Sequence, residues 1–255
     1  MNLSHNTLEE ITTKNLTLRR IEHETSIVDI DKEGYNAFGN EWWHNLDCPF
    51  AFKYLSIDSL YPPVYFTKEN VGHPIKTDIT KLYDYMQEVY TSITGYKFQS
   101  VIELGAGDGE IASKFLEQKL DFITVEGTDA GYKALLAKKI PEEHILKCNL
   151  KFLSNQQRRF HLAMCTEVAE HIEPFFASKI VDNCISHSDF VWFSAADRHR
   201  KAHYHHMNEQ PIEVWDNLFA HMGYPWYVIL NQFVDRASRL YISELTGNHI
   251  FRNLT

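Results

Sequence analysis

Three segments of the sequence contain residues whose types and spacing are suited to chemistry. Residues 101–110, Val-Ile-Glu-Leu-Gly-Ala-Gly-Asp-Gly-Glu, place glycines at alternate positions directly after a short apolar run. Residues 165–171 contain two glutamates and a histidine at helical spacing, and residues 203–206 contain three histidines. The first segment is suited to holding a ligand against the backbone, and the other two are suited to binding a cation or accepting a proton.

The glycine segment predicts a strand, a tight turn and the start of a helix, because an amphipathic pattern of helical period begins at Ile111. A dinucleotide-binding turn spaces its glycines G-x-G-x-x-G and rests a pyrophosphate on the helix N-terminus. Here the spacing is G-x-G-x-G, and acids crowd the turn at Glu103, Asp108 and Glu110. These carboxylates disfavour a pyrophosphate and favour a ligand that carries an ammonium and a sulfonium.

From residue 98 onward, strand and helix patterns alternate. The predicted strands are 100–104, 122–127, 144–150, 160–165, 189–195, 227–233 and 243–251, and the predicted helices are 110–118, 132–139, 175–185 and 211–222. This alternation implies an α/β fold whose largely parallel sheet is covered on both faces. Ligands are then expected beyond the carboxyl ends of the strands.

The first 97 residues have a different character. A weak helical pattern covers 8–20, a better one covers 75–93, and an aromatic, turn-rich segment lies between them. We therefore expect an N-terminal cap over residues 1–97 and a ligand-binding domain over residues 98–255.

The E-x-G-x-G-x-G pattern of residues 103–109 resembles the most specific motif of class I S-adenosylmethionine-dependent methyltransferases. The resemblance implies a Rossmann-like sheet and S-adenosylmethionine as the cofactor. It assigns the cofactor contacts to Glu103, Gly105, Gly107, Gly109, Asp129, Asn149 and Glu167.

Two of these assignments have alternatives. Asp129 is preferred over Glu126 as the acid that accepts from both ribose hydroxyls, a role that suits the two oxygens of a carboxylate. Asn149 stands where the family usually has an aspartate that accepts from the adenine amino group. The other interpretation of Asn149 is a turn residue at the end of a strand.

The segment Cys165-Thr-Glu-Val-Ala-Glu-His171 predicts one helical turn that presents two carboxylates and an imidazole on a single face. Together with a distal histidine before an aromatic helix, it resembles Mg²⁺-dependent O-methyltransferases such as the small-RNA 2′-O-methyltransferases and the ubiquinone-pathway enzymes. The resemblance implies an Mg²⁺ or Mn²⁺ site at Glu167, Glu170, His171 and His206, with His203 or His205 as substitutes for His206.

Without a metal, the same residues have other interpretations. Many class I methyltransferases have a similar loop that packs against the cofactor or caps a helix. One of the histidines then acts as a general base, or they fill a polar pocket. In either case the predicted catalytic residues are His206, His171 and Glu170.

A hydroxyl acceptor fits both interpretations, because an alcohol needs a cation that lowers its pKa or a base that removes its proton. In the cap, Trp42, Trp43 and Tyr65 are predicted to stack on a sugar-like acceptor, although the cap's own core is the alternative place for such aromatics. Arg198 and His203 complete the predicted acceptor set.

Composition limits the partners. The 255 residues are 44% hydrophobic and carry a net charge of −9, which argues against nucleic acid as the main partner. No signal-type or membrane-length apolar window occurs. The four cysteines contain no C-x-x-C pair, which favours reduced thiols in a cytoplasmic protein.

These patterns predict an S-adenosylmethionine-dependent O-methyltransferase acting on a small polar acceptor, a sugar or nucleotide-linked sugar for glycan biosynthesis. Two other enzymes, an RNA ribose O-methyltransferase and a secondary-metabolite methyltransferase, are alternatives. The alternative outside enzymes is a cofactor-binding protein without catalysis.

Overall fold

The computed structural model describes residues 7–12, 17–21, 78–153, 158–196, 206–230 and 238–254. Its centre is a nine-stranded sheet in the order β1-β2-β8-β9-β7-β6-β3-β4-β5. The strands are β1 Thr7–Thr12, β2 Thr17–Ile21, β3 Ser100–Leu104, β4 Asp121–Glu126, β5 Ile145–Lys147, β6 Leu162–Thr166, β7 Phe190–Ser194, β8 Trp226–Leu230 and β9 Ser238–Ile242.

The strands from β3 to β7 are parallel, as the alternating pattern predicts. Strand β3 pairs with β4 on one side and with β6 on the other, and β5 and β7 continue outward from these neighbours. The chain therefore winds in opposite directions from β3. A crevice at such a switch point is the usual ligand site of an open α/β sheet.

Six α-helices belong to the described part of the chain: α1 Ile79–Thr94, α2 Glu110–Glu117, α3 Asp129–Ala137, α4 Ala177–Ile185, α5 Ile212–His221 and α6 Glu244–Leu254. Helices α1, α2, α3 and α6 contribute buried residues to the core on one face of the sheet. Helices α4 and α5 contribute to the core on the other face. A Rossmann-like sheet covered on both faces is thereby confirmed.

The structure overturns the helix predicted over residues 8–20. Residues 7–12 and 17–21 form the antiparallel pair β1 and β2, and β2 joins the sheet beside β8. In β2, Leu18 and Ile21 lie three residues apart, a spacing that resembles a helix, but in the strand they are buried in the cores on opposite faces of the sheet, and Arg19 and Arg20 between them are half-buried.

The C-terminal end is also different from the prediction. Residues 243–251 were expected to be a strand and instead lie mostly in α6, whose first turn contains Glu244. Ser243 caps this helix, because its Oγ accepts from Thr246 N at 3.4 Å. The last strand is β9, which none of the predicted strands covers and which contains Arg239. The structure buries this arginine beside Asp216 of α5, with 3.3 Å between Nε and Oδ1.

Residues 22–77, the main part of the predicted cap, lie outside the described residues. The two flanking pieces belong to the sheet layer, since β1 and β2 extend the sheet and α1 packs on it. Within the described ranges, no helix has the length and hydropathy that a membrane crossing requires.

Candidate functional site

The glycine turn follows β3 and leads into α2. Gly105, Gly107 and Gly109 all have positive φ angles, of 88°, 56° and 77°. A Cβ on Gly105 would lie 2.5 Å from Val168, and a Cβ on Gly109 would lie 2.6 Å from Leu135. A Cβ on Gly107 would have no neighbour within 4 Å. Two of the glycines therefore allow close packing, while Gly107 faces open space.

Glu126 lies beside this turn at the carboxyl end of β4. Its Oε2 accepts from Gly107 N at 3.0 Å, and its Oε1 accepts from the N and Oγ1 of Thr128 at 2.8 and 2.7 Å. Burial raises the pKa of Glu126, and these hydrogen bonds oppose the rise. The structure thus connects the acid that ends β4 to the backbone of the glycine turn.

Asp129, which the sequence analysis preferred over Glu126, has a different setting. It is an exposed residue in the first turn of α3 and is paired with Lys147 of β5, a hydrogen bond that lowers its pKa. The helix begins three residues after the strand ends, so Asp129 belongs to the helix and Glu126 to the strand end. Of the two acids, Glu126 is the one that contacts the glycine turn.

Glu103, inside β3, is buried and 4% exposed. Thr124 Oγ1 of the neighbouring strand lies 2.7 Å from its Oε2. Burial raises the pKa of Glu103 to about 8, and the nearby carboxylates of Glu126 and Asp108 contribute to the increase. Glu103 is therefore largely protonated at neutral pH, which the sequence pattern did not indicate.

Asn149 follows β5 and caps the short 3-10 helix Leu150–Phe152. Its Oδ1 accepts from Lys151 N at 3.0 Å. This is the turn role named above as the alternative interpretation of Asn149.

The loop after β6 does not form the single helical turn that the spacing predicts. Glu167 has a φ of 57° and precedes a 3-10 helix that covers Ala169–His171. Its backbone N donates to Ser194 O, and its Oε1 accepts from Ser194 Oγ at 2.9 Å. The left-handed backbone at Glu167 itself precedes the helical turn, and the side chain of Glu167 contacts Ser194 of β7.

Three of the four predicted metal ligands do come together. Glu170, His171 and His206 each offer a ligand atom, and these atoms lie within 4.8 Å of one another. Glu170 is fully buried, His206 is 5% exposed, and the two imidazoles meet edge to face with ring centroids 4.6 Å apart. Burial raises the pKa of the Glu170 carboxyl to about 8.

This donor set fits a divalent cation. One carboxylate and two imidazoles suit a borderline divalent ion such as Mn²⁺ better than Mg²⁺, which prefers oxygen ligands, and bonds of about 2.0–2.2 Å from a central ion bring such atoms to similar separations. The orientation of His206 fits as well, because its Nδ1 lies 2.6 Å from Glu209 Oε1, which leaves Nε2 as the ligand atom.

The segment 206–210 also contains residues that the sequence analysis did not select. The N–H groups of Met207 and Asn208 both donate to Glu170 O, at 2.7 and 2.9 Å, which fixes the segment against the loop after β6. Glu209 orients His206, and Gln210 donates to Asn208 Oδ1. The spacing of a histidine and a glutamate at i and i+3 was the available signal for Glu209.

The predicted acceptor residues Trp42, Trp43, Tyr65, Arg198 and His203 lie outside the described residues, as does His205. Their roles stay predictions.

Comparisons with solved structures agree with this architecture. The sugar N-methyltransferase KedS8 from Streptoalloteichus sp. matches with a TM-score of 0.54 at 12% identity, over 69% of this chain and 90% of KedS8. The chain has a methyltransferase fold. The methyltransferase domain of bacterial CtHen1 matches with a TM-score of 0.47 at 16% identity, over 65% of this chain and 96% of that domain. No protein-family model and no curated protein sequence matches the chain.

Proposed function

We propose that this methyltransferase-fold protein is an S-adenosylmethionine-dependent O-methyltransferase that acts on a hydroxyl of a small, polar, sugar-like acceptor. The observation that carries the proposal is the contact between two candidate sites at the switch point. Val168, in the loop that leads to Glu170 and His171, packs directly on Gly105 of the glycine turn. A cofactor held at the turn and an acceptor held at the cluster would therefore be neighbours.

The glycine turn is suited to the cofactor. Gly107 faces open space, so a ligand can approach the backbone there, and Glu126 supplies a carboxylate next to the same N–H group. We assign Glu126 to the ribose hydroxyls in place of Asp129. When bound, S-adenosylmethionine supplies a methyl group on a sulfonium for an in-line displacement, a reaction that depends mainly on positioning.

The cluster is suited to activating the acceptor hydroxyl. Glu170, His171 and His206 would hold a divalent cation, which lowers the pKa of a bound hydroxyl when it is present. Glu167 lies against Ser194 outside the three-residue cluster, and we do not assign it as a ligand. In this proposal the three residues hold the acceptor oxygen beside the loop whose Val168 contacts the glycine turn.

A second mechanism for the same function rests on the pair His206 and Glu209. A buried imidazole whose Nδ1 is held by a carboxylate is the usual arrangement of a general base. His206 Nε2 would then accept the proton of the hydroxyl as the carbon–oxygen bond forms.

The net charge and the likeness in fold to a sugar methyltransferase support the choice of a sugar-like acceptor. The net charge of −9 disfavours RNA, and KedS8, which shares the fold, is a sugar N-methyltransferase. A sugar or nucleotide-linked sugar is therefore the first acceptor to test, ahead of RNA ribose and of secondary metabolites.

One experiment tests the function and separates the two mechanisms. The purified protein is incubated with S-adenosylmethionine and a panel of nucleotide sugars, and release of S-adenosylhomocysteine is measured with EDTA, with Mg²⁺ and with Mn²⁺. We expect turnover that EDTA abolishes and Mn²⁺ or Mg²⁺ restores. Zn²⁺ should restore it poorly if acceptor and water complete an octahedron, because zinc prefers four ligands.

The matched variants are His206→Ala and His161→Ala, the latter at the opposite end of β6. The first should lower turnover by about 10²–10⁴-fold with little change in cofactor affinity, and the second should not. Activity that survives EDTA but not His206→Ala would favour the general base. Absence of both cofactor binding and turnover would refute the proposed function.

A further inference from the structure

Gln210 has an arrangement that the proposed chemistry does not use. Its side chain is 6% exposed, and its Nε2 donates to Asn208 Oδ1 at 3.0 Å. Its Oε1 is buried and has no hydrogen-bond partner within the part of the chain that the structure describes. A buried amide oxygen without a partner loses its hydration without compensation, so it calls for an explanation.

The polarity of this amide follows from a chain of hydrogen bonds. The carbonyl oxygen of Ala169 can only accept, so Asn208 must direct its Nδ2 there, at 3.4 Å. Asn208 Oδ1 is then the atom that faces Gln210, which must donate through Nε2. Gln210 Oε1 remains as a group that can accept a hydrogen bond and cannot donate one.

The same chain of bonds ties Gln210 to the candidate site. Ala169 directly precedes Glu170, and Asn208 N donates to Glu170 O. Gln210 lies four residues after His206 and follows Glu209, which orients that histidine. The accepting oxygen therefore belongs to the segment that builds the cluster.

We infer that Gln210 Oε1 recognises a hydrogen-bond donor of the methyl acceptor, a hydroxyl or N–H group other than the one that is methylated. This inference rests on the proposed function and specifies its acceptor. A polyol or amino sugar supplies such a donor beside the reacting hydroxyl. A carboxylate or phosphate oxygen at this position would be repelled, because neither it nor Gln210 Oε1 carries a proton to share.

Substitution of the glutamine by methionine tests the inference, because methionine has a similar length and no amide. Gln87→Met is the matched control: Gln87 of α1 is also 6% exposed with an unpartnered Oε1, and its Nε2 donates to Tyr83 and Phe98 rather than to the site. Both variants remove a buried amide, so both report on stability. Only Gln210→Met should change recognition of the acceptor.

The probes are UDP-glucose, UDP-N-acetylglucosamine and GDP-mannose, with their monodeoxy and monodeoxyfluoro analogues. Binding in the presence of S-adenosylhomocysteine is measured by saturation-transfer NMR, and KM is measured for each probe that turns over. We expect Gln210→Met to weaken binding of the parent sugar about 5- to 30-fold. One deoxy or fluoro analogue lacks the donor that Gln210 recognises. The wild type should bind this analogue more weakly than the parent sugar by a similar factor, and Gln210→Met should not weaken its binding further.

Three results would overturn the inference. The first is equal acceptor affinity in wild type and Gln210→Met, and the second is an equal loss in Gln87→Met. The third is a panel of hydroxyl- and amide-bearing probes that contains no binder while S-adenosylhomocysteine still binds. If the wild-type protein does not bind S-adenosylhomocysteine, the proposed function itself is refuted. The failure of the inference and the failure of the proposed function are therefore distinguishable.

Discussion

At the scale of single residues, the three glycines of the turn share a left-handed backbone but serve different purposes. Gly105 and Gly109 leave room for Val168 and Leu135, and a side chain at either position would collide with them. Gly107 meets nothing within 4 Å, so packing alone does not require a glycine there. The positive φ accounts for the glycine, and the open space above it is where we propose that the cofactor approaches the backbone.

Gly107→Val should therefore abolish cofactor binding without unfolding the protein. Its Cβ would enter the open space above the turn, and a β-branched residue is strained at a φ of 56°. We expect the affinity for S-adenosylmethionine to fall at least about 100-fold, roughly 2.7 kcal/mol, in calorimetric titration.

Gly95→Val is the control for strain. Gly95 ends α1 with a φ of 82° and also has no neighbour within 4 Å, but it lies outside the site. It should lower the melting temperature to a similar extent and leave the affinity for the cofactor unchanged. Unchanged affinity in Gly107→Val would remove the glycine turn from the cofactor site.

The two acids near the ribose position give opposite expectations. Glu126→Gln should weaken binding of S-adenosylmethionine by roughly 1.5–3 kcal/mol, the range for a hydrogen bond to a charged group. Asp129→Ala removes an exposed pair with Lys147 and should leave the affinity for S-adenosylmethionine nearly unchanged. Titration calorimetry of both variants is sufficient, and a larger loss in Asp129→Ala would restore the assignment made from sequence.

At the scale of elements, the antiparallel end of the sheet shows how packing overrides local pattern. Arg239 lies inside β9, where its Nε is 3.3 Å from Asp216 Oδ1, and Tyr241 donates to the same oxygen at 2.6 Å. Helix α6 packs on Trp226 of β8, whose Nε1 donates to Asn248. The partners of these residues come from distant segments, so no local window of sequence contains them.

Gly247→Ala in α6 tests this packing through the sign of its effect. By helix propensity alone, alanine should stabilise a helix by about 1 kcal/mol relative to glycine. In the structure, a Cβ at Gly247 would lie 2.1 Å from the indole of the buried Trp226, so we expect a loss of about 1–3 kcal/mol in chemical denaturation. Arg252 is exposed on the same helix, and the free energy of unfolding of the control Arg252→Ala should stay within about 0.5 kcal/mol of the wild-type value. A Gly247→Ala variant more stable than the wild type would contradict the packing of α6.

At the scale of the whole molecule, buried carboxyls make stability depend on pH. Glu103 has a pKa raised to about 8 by burial, against an ordinary value of 4.5. The folded state therefore keeps a proton that the unfolded chain releases above about pH 4.5. The contribution of Glu103 to the free energy of unfolding is therefore largest below about pH 4.5 and decreases as the pH rises from there to about 8.

Glu103→Gln removes this titration and retains a polar group for Thr124. We expect the variant to gain stability over the wild type as the pH increases from about 5 to 8, by roughly 3 kcal/mol at pH 7. Thermal unfolding of both proteins at several pH values measures the difference. A difference that is independent of pH would mean that Glu103 is ionised in the folded protein.

The sequence alone determined the class of the fold and the position of the glycine turn. Alternate glycines after a buried strand, and strands alternating with helices from residue 98, are local patterns whose period reflects the backbone itself. The approach of Glu170, His171 and His206 followed from the same logic, because parallel strands end at one edge of the sheet.

Only the tertiary structure decided which neighbours each residue has. It placed Glu126 instead of Asp129 at the turn, because the helix begins after the strand has ended. It gave Glu167 a left-handed backbone and a contact with Ser194 of β7, and it left Gln210 Oε1 buried without a hydrogen-bond partner among the described residues. Such outcomes depend on contacts between segments that lie far apart in the chain, and a local pattern does not encode them.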